Sequence, residues 1–237
     1  MLYTRRRKEC PMGKVYPPEQ PGRLREIQAE TLARPRRSYS TAARLLFVMM
    51  DVIYGKAASL RKYRVLEIVA RVPYQAWENV AYVAITHTSE TPTFARSIHD
   101  RVVQARAQQD NEQWHLLILE EMLHREGHRH TLLRDRILPQ VIALTYYQIS
   151  WLLYTISPKW SYRLNADFED HAEHEYMSYV DDNPALDETP WESLFADDYG
   201  HHATVGDLFR QIGYDERLHG EESADLIEAA RFGASPA

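Results

Sequence analysis

Asn111-Glu112-Gln113-Trp114-His115 is the stretch whose reading decides the fold. It sits in a run that holds no glycine or proline after Pro92 and reads as helix, residues 92–125. Glu112 and His115 are three positions apart, so about 300° of rotation brings both onto one helical face, a turn apart. A carboxylate and an imidazole so placed can ligate one metal ion. The same spacing recurs in Tyr214-Asp215-Glu216-Arg217-Leu218-His219, on a helix expected over residues 204–231.

Two Glu-x-x-His pairs, with one further Glu from each of two other helices, make the ligand set of ferritin-like di-iron carboxylate bundles. Working outward, the first further Glu is found in a helix expected over residues 57–87. There Leu66-Glu67-Ile68-Val69-Ala70 sets Glu67 among apolar neighbours, where a carboxylate requires a partner. Pro73 removes a backbone hydrogen bond and bends that helix. The second lies in a helix running from Pro158 to about Val180, where Phe168-Glu169-Asp170-His171-Ala172-Glu173 offers Glu169, Asp170 and Glu173 as candidates, and periodicity does not choose among them.

A decoy needs separate treatment. Glu121 and His124 share the spacing, but nine residues from Glu112 is about 900°, or half a turn out of phase. Polar neighbours assign that pair to a solvated face, and His128, His130, His201 and His202 read as solvated loop residues.

The 237 residues suit a single domain, and 9 Gly and 12 Pro favour long helices over a many-turned sheet protein. The one cysteine, Cys10, excludes an intrachain disulfide and a Cys-rich metal site. Any metal must be held by Glu, Asp and His, which suit iron or manganese. Net charge is −6, yet residues 1–44 carry +7. Residues 1–37, rich in Arg and Pro, read as an extended or irregular basic arm preceding a helical domain at 38–237. No nucleic-acid motif accompanies that charge, so none is expected as a partner. Arg5-Arg6-Arg7-Lys8 is not followed by an apolar run, which reads against a secretory signal and for a cytoplasmic start.

Two segments are more apolar than a soluble bundle needs. Residues 42–53 are interrupted only by Arg44 and Asp51, and residues 137–158 hold no charge at all. The first is too short and charged to span a bilayer, and Pro139, Gln140, Gln148 and the tyrosines count against the second. The first reads equally as a buried helix or as one lying in a membrane interface, and monotopic attachment is expected through the second. The uncharged helix also weighs against a soluble iron-storage cage.

At these residues the chain resembles the alternative oxidase family, and its plastid terminal oxidase branch more than the mitochondrial one. The likeness is carried by residues 65–74, by Asn111-Glu112-Gln113-Trp114-His115-Leu116-Leu117, by Leu153-Tyr154-Thr155-Ile156-Ser157-Pro158-Lys159, by residues 168–176 and by Asp215 to His219. It runs from about residue 40 to 230. The resemblance implies an all-α, ferritin-like four-helix di-iron bundle with two additional membrane-associating helices, forming a homodimer on one membrane leaflet. It implies two non-haem iron ions held by Glu67, Glu112, His115, Glu169, Glu216 and His219, with Asn111 orienting ligands. Tyr176, seven residues after Glu169, is the functional tyrosine it implies.

The implied activity is oxidation of a quinol (ubiquinol, menaquinol or plastoquinol) with reduction of O₂ to water and no proton pumping. The implied place is a bacterial inner membrane's cytoplasmic face or a thylakoid membrane. A di-iron hydroxylase of a quinone-biosynthesis intermediate is the alternative. Lys62 stands where the family usually has Arg in the quinone pocket; Arg61 or Arg64 could substitute, and Asp51 and Arg44 resemble polar groups lining that pocket. Cys10 lies outside the matched region, so thiol regulation is not expected.

Overall fold

The computed structural model describes residues 16–87 and 91–229. Cys10 and the Arg5–Lys8 run fall outside them. Helix α1 spans Pro21–Ala33, α2 Thr41–Tyr54, α3 Leu60–Ala70, α4 Val72–His87, α5 Pro92–Arg125, α6 Leu138–Ile156, α7 Pro158–Asp182 and α8 Val205–Glu228. A π-helical turn, Leu132–Ile137, leads into α6, and a 3₁₀ turn, Pro184–Asp187, follows α7. No strand pairs with another among the described residues beyond one isolated bridge, Pro190 to Thr204.

Local chemistry sets the boundaries. Ser40, Ser59 and Thr204 each accept the first-turn N–H of Ala43, Lys62 and Asp207, satisfying donors a helix start leaves open. Proline opens α1, α5, α6 and α7, where its missing N–H is of no consequence. Gly55 ends α2 at φ 95°, a conformation side chains with a Cβ resist. The expected single bent helix over residues 57–87 is two helices, α3 and α4, which meet at Arg71 two residues before Pro73.

The four long elements α3–α4, α5, α7 and α8 form the bundle, with α7 and α8 the most extensively paired. Their close approach is permitted by Gly213, whose added Cβ would lie 3.0 Å from Met177 and 3.3 Å from Tyr176. Helices α2 and α6 flank the bundle. Their inner residues Ala43, Met50, Tyr54, Ile142, Ala143 and Tyr146 join the core, while Leu45, Val48, Val52, Val141, Leu144 and Leu152 face outward. No described helix is long and apolar enough to cross a membrane.

The irregular reading of residues 1–37 is corrected over Pro21–Ala33, while residues 1–15 lie outside the described residues. Leu24, Ile27, Gln28 and Thr31 recur on one face of α1 and are buried against α7 and α8. Gln28 donates to the Met177 carbonyl at 2.9 Å and accepts from Arg210 at 2.7 Å. The prolines at 21 and 35 bracket this short helix rather than forbidding it. Leu24→Ala is expected to destabilise the fold by ~2–5 kcal/mol, as emptying a closed core position does, which urea denaturation would read.

The decoy pair is corrected as well. Glu121 is buried, not solvated, and accepts from the Ser193 hydroxyl (2.7 Å) and the Leu194 N–H (3.1 Å), anchoring the loop before α8. His124 is exposed. His202 is buried and packs near Tyr199, and His128 and His130 are half-buried, with His130 3.0 Å from Glu120.

Candidate metal centre

Glu67 projects from α3, Glu112 and His115 from α5, Glu169 from α7, and Glu216 and His219 from α8. All six are at 0% exposure. They fall into two overlapping groups, Glu67–Glu112–His115–Glu216 and Glu112–Glu169–Glu216–His219. Within each group one donor atom per residue lies within 4.8 Å of all the others, so each group could hold a metal ion. Glu112 and Glu216 belong to both. Two adjacent cation positions sharing two carboxylates follow from that overlap.

The individual contacts describe the same enclosure. His115 Nδ1 is 3.3 Å from Glu67 Oε2, 3.3 Å from Glu216 Oε1 and 3.7 Å from Glu112 Oε2. His219 Nδ1 is 2.7 Å from Glu112 Oε1 and 3.8 Å from Glu216 Oε2. Yet both oxygens of Glu112 and of Glu216, Oε2 of Glu67 and of Glu169, and Nδ1 of both histidines have no hydrogen-bond partner. Buried polar atoms are rarely left so, because each loses its solvation uncompensated. A cluster of them converging on one volume is what cations would satisfy.

Electrostatics agree. Burial, then the Glu216 carboxylate, pushes Glu67 and Glu169 well above the usual carboxylate range. Burial acts the same way on Glu112, but the His115 and His219 imidazoles override it and hold that carboxyl low. Burial opposes charge on His219, and the neighbouring Glu112 and Glu216 outweigh it, raising the imidazole to about 10.

Around the six lies a frame of hydrogen bonds. His115 Nε2–H donates to Asp215 Oδ2 at 3.2 Å, which leaves Nδ1 with its lone pair toward the shared volume. Asp215 is itself fixed by Asn111 Nδ2 (3.2 Å), the Tyr199 hydroxyl (2.8 Å) and Gln211 Nε2 (2.9 Å). Asn111, expected to orient ligands, contacts Asp215. The Tyr74 hydroxyl donates to Glu169 Oε1 at 2.6 Å and accepts from Asn165 at 3.1 Å. Tyr176 donates a short hydrogen bond to Glu67 Oε1 and is stacked on Tyr63, ring centroids 4.5 Å apart.

The open choice on α7 resolves geometrically. Glu169 faces the group, whereas Asp170 accepts from Tyr39 and the Arg37 N–H, and Glu173 is held by Arg34, Arg217 and Thr31. Of the pocket residues, Lys62 is buried with Nζ 2.7 Å from Asp51 Oδ1, and Arg44 lies exposed two turns before Asp51 on α2. Neither Arg61 nor Arg64 is free to replace Lys62: Arg61 pairs with Asp135, and Arg64 with Glu120 and the Asp135 carbonyl.

Asp215, Tyr74, Asn165 and Tyr199 were not singled out from sequence as parts of the site. Asp215 stands beside Glu216 and Tyr74 is seven residues, two turns, after Glu67, so spacing alone could have found both. Tyr199 comes from a loop and leaves no periodic signal. Asp215→Asn is expected to weaken metal affinity by about 10–100-fold, because an amide cannot hold the His115 N–H as a carboxylate does. A metal titration of the stripped protein would measure it.

The fold and site define a helical bundle with a buried carboxylate–histidine centre able to hold two metal ions. The Alternative oxidase family profile matches residues 30–226, and the chain belongs to that family. It is similar to ubiquinol oxidase 4, chloroplastic/chromoplastic, of Arabidopsis thaliana, at 33% identity over 132 residues, 56% of this chain and 34% of that protein. The match thus spans about a third of the relative's length. No solved structure matches.

Proposed function

We propose that the protein is a quinol oxidase whose buried centre holds two non-haem iron ions. The observation that carries this reading is the pair of overlapping donor groups joined through Glu112 and Glu216, with their facing atoms unpartnered. Oxygen donors with two imidazoles suit hard, redox-active iron. When bound, the iron pair supplies electrons to dioxygen two at a time.

The chain's own groups do the rest. Asp215 fixes the His115 tautomer, and Tyr74 and Tyr176 steady one oxygen each of Glu169 and Glu67. The Tyr176 hydroxyl, fully buried and kept protonated by burial and the adjacent Glu67, donates to Glu67 Oε1 and in this reading gives up an electron and its proton together. The core aromatics around it, Tyr63 and Phe209, exclude water. The Lys62–Asp51 pair, with Arg44 nearby on α2, is the quinone head-group contact in this reading. The outward apolar residues of α2 and α6 rest in one lipid leaflet, so a water-insoluble quinol reaches the protein from the membrane; a homodimer is part of the same reading.

Membranes or vesicles carrying the iron-loaded protein, given short-chain ubiquinol, menaquinol or plastoquinol with cyanide present, are expected to take up oxygen. Uptake with none of the three would contradict the proposal. Tyr176→Phe is expected to keep its iron and lose uptake by roughly 10²-fold, the lower range for a positioned proton-transfer group.

A further inference from the structure

The six inward residues are fully buried, so a metal ion must have a way through the protein. Glu216, Gly220 and Ala224 follow one another at four-residue steps along a single face of α8. Ala166, Asp170 and Glu173 follow at steps of four and then three residues along the facing side of α7. This seam holds small and acidic side chains where packed helices ordinarily interlock large apolar ones. It opens as a cleft of ≈ 220 Å³ whose lining runs from Arg34 and Arg37 at the surface to Glu216. Glu216 is at 0% exposure and neither of its oxygens has a hydrogen-bond partner, so an unpartnered buried carboxylate stands at the inner end.

We propose that the α7–α8 seam is the path by which divalent metal ions reach and leave the buried centre, with Asp170 and Glu173 as the station at its mouth and Arg34 as a displaceable counter-charge. The inference rests on the reading of the centre as a metal site. Asp170 and Glu173 are buried, and their donor atoms lie close enough to hold one cation. His174, beside them, turns its nitrogens to the carbonyls of Asp170 and Arg34, so the station is made of carboxylates.

Arg34 bridges the two acids, 2.5 Å from Glu173 and 3.6 Å from Asp170, yet its side chain is 41% exposed. It can swing into water as a cation takes its place. Arg217, by contrast, is tied to Glu30, Glu173, Thr31 and the Ile27 carbonyl, and is a fixed wall. A methyl group on Gly220 would meet only the Glu169 Cβ, at 3.4 Å, so the seam has room there and no side chain to move aside. An ion passing Gly220 arrives between Glu169 and Glu216.

The test follows cobalt(II) uptake by the full chain stripped with chelator, read by visible absorption in stopped flow, with final content by elemental analysis. Ala224→Leu places a bulky side chain in the seam and is expected to slow uptake and chelator-driven release about tenfold, with the same final content. Arg34→Gln, at an exposed position, is expected to load faster than wild type. Wild-type rates and wild-type content in both variants would overturn the path while leaving the metal centre standing. A wild type that binds no cobalt would overturn the metal-centre reading and the path with it.

Discussion

Glu216→Ala is expected to abolish quinol-dependent oxygen uptake, a loss of roughly 10³-fold or more, corresponding to at least ~4 kcal/mol of lost barrier reduction. Glu216 belongs to both donor groups, so its removal damages both cation positions at once. Glu67 and Glu169 each belong to one, and their alanine variants should retain one occupied position. The substitution leaves no hydrogen bond broken, because neither Glu216 oxygen has a partner in the metal-free protein. Comparing the melting of the stripped variant with that of stripped wild type separates a site defect from misfolding. Glu121→Gln is the matched control: a buried carboxylate on the same bundle, serving a loop and facing away from the centre. It should retain its iron and its oxygen uptake.

Chelation is expected to give the second large effect. The metal-free fold confines four carboxyl groups in one dry volume, where burial drives Glu67 and Glu169 toward the protonated form. Bound cations supply the missing partners, and a ligand present at a thousand times its Kd adds ~4 kcal/mol to stability. For a chain of this size that corresponds to roughly 8–16 °C in Tm. Protons and cations compete for Glu67 and Glu169, whose folded-state values are raised, so metal loading releases protons and tightens as pH rises. The difference in Tm between loaded and stripped protein, followed by calorimetry, should widen from mildly acidic to mildly basic buffer. An unchanged Tm on chelation would contradict the reading.

Much of this centre was legible in the sequence because helices are periodic. Glu112 with His115 and Glu216 with His219 announce themselves by a three-residue step, and Glu67 by its apolar neighbours. The third acidic helix was different. Glu169, Asp170 and Glu173 fall close together in one charged stretch, and in the structure the arginines and tyrosine that engage the latter two from the segment after α1 remove them from contention. Those partners are more than 130 residues away in sequence. Helix α1 was obscured by the prolines and arginines around it, since a four-residue buried face on 13 residues is a faint pattern. Glu121 misled for the reverse reason: its neighbours are polar, and the loop that covers it arrives from residues 193–194. Long-range partners of this kind leave no mark in local spacing.

In the proposed reaction this buried centre couples quinol oxidation to the reduction of dioxygen to water. The most direct measurement is the stoichiometry of purified, iron-loaded protein, with oxygen consumption and quinone products followed together. Two quinols oxidised for each O₂ consumed, with an unmodified quinone ring and no peroxide, is the predicted result. A hydroxylated ring, with an oxygen atom from O₂ carried into it, would contradict the oxidase and identify a hydroxylase built on the same six residues.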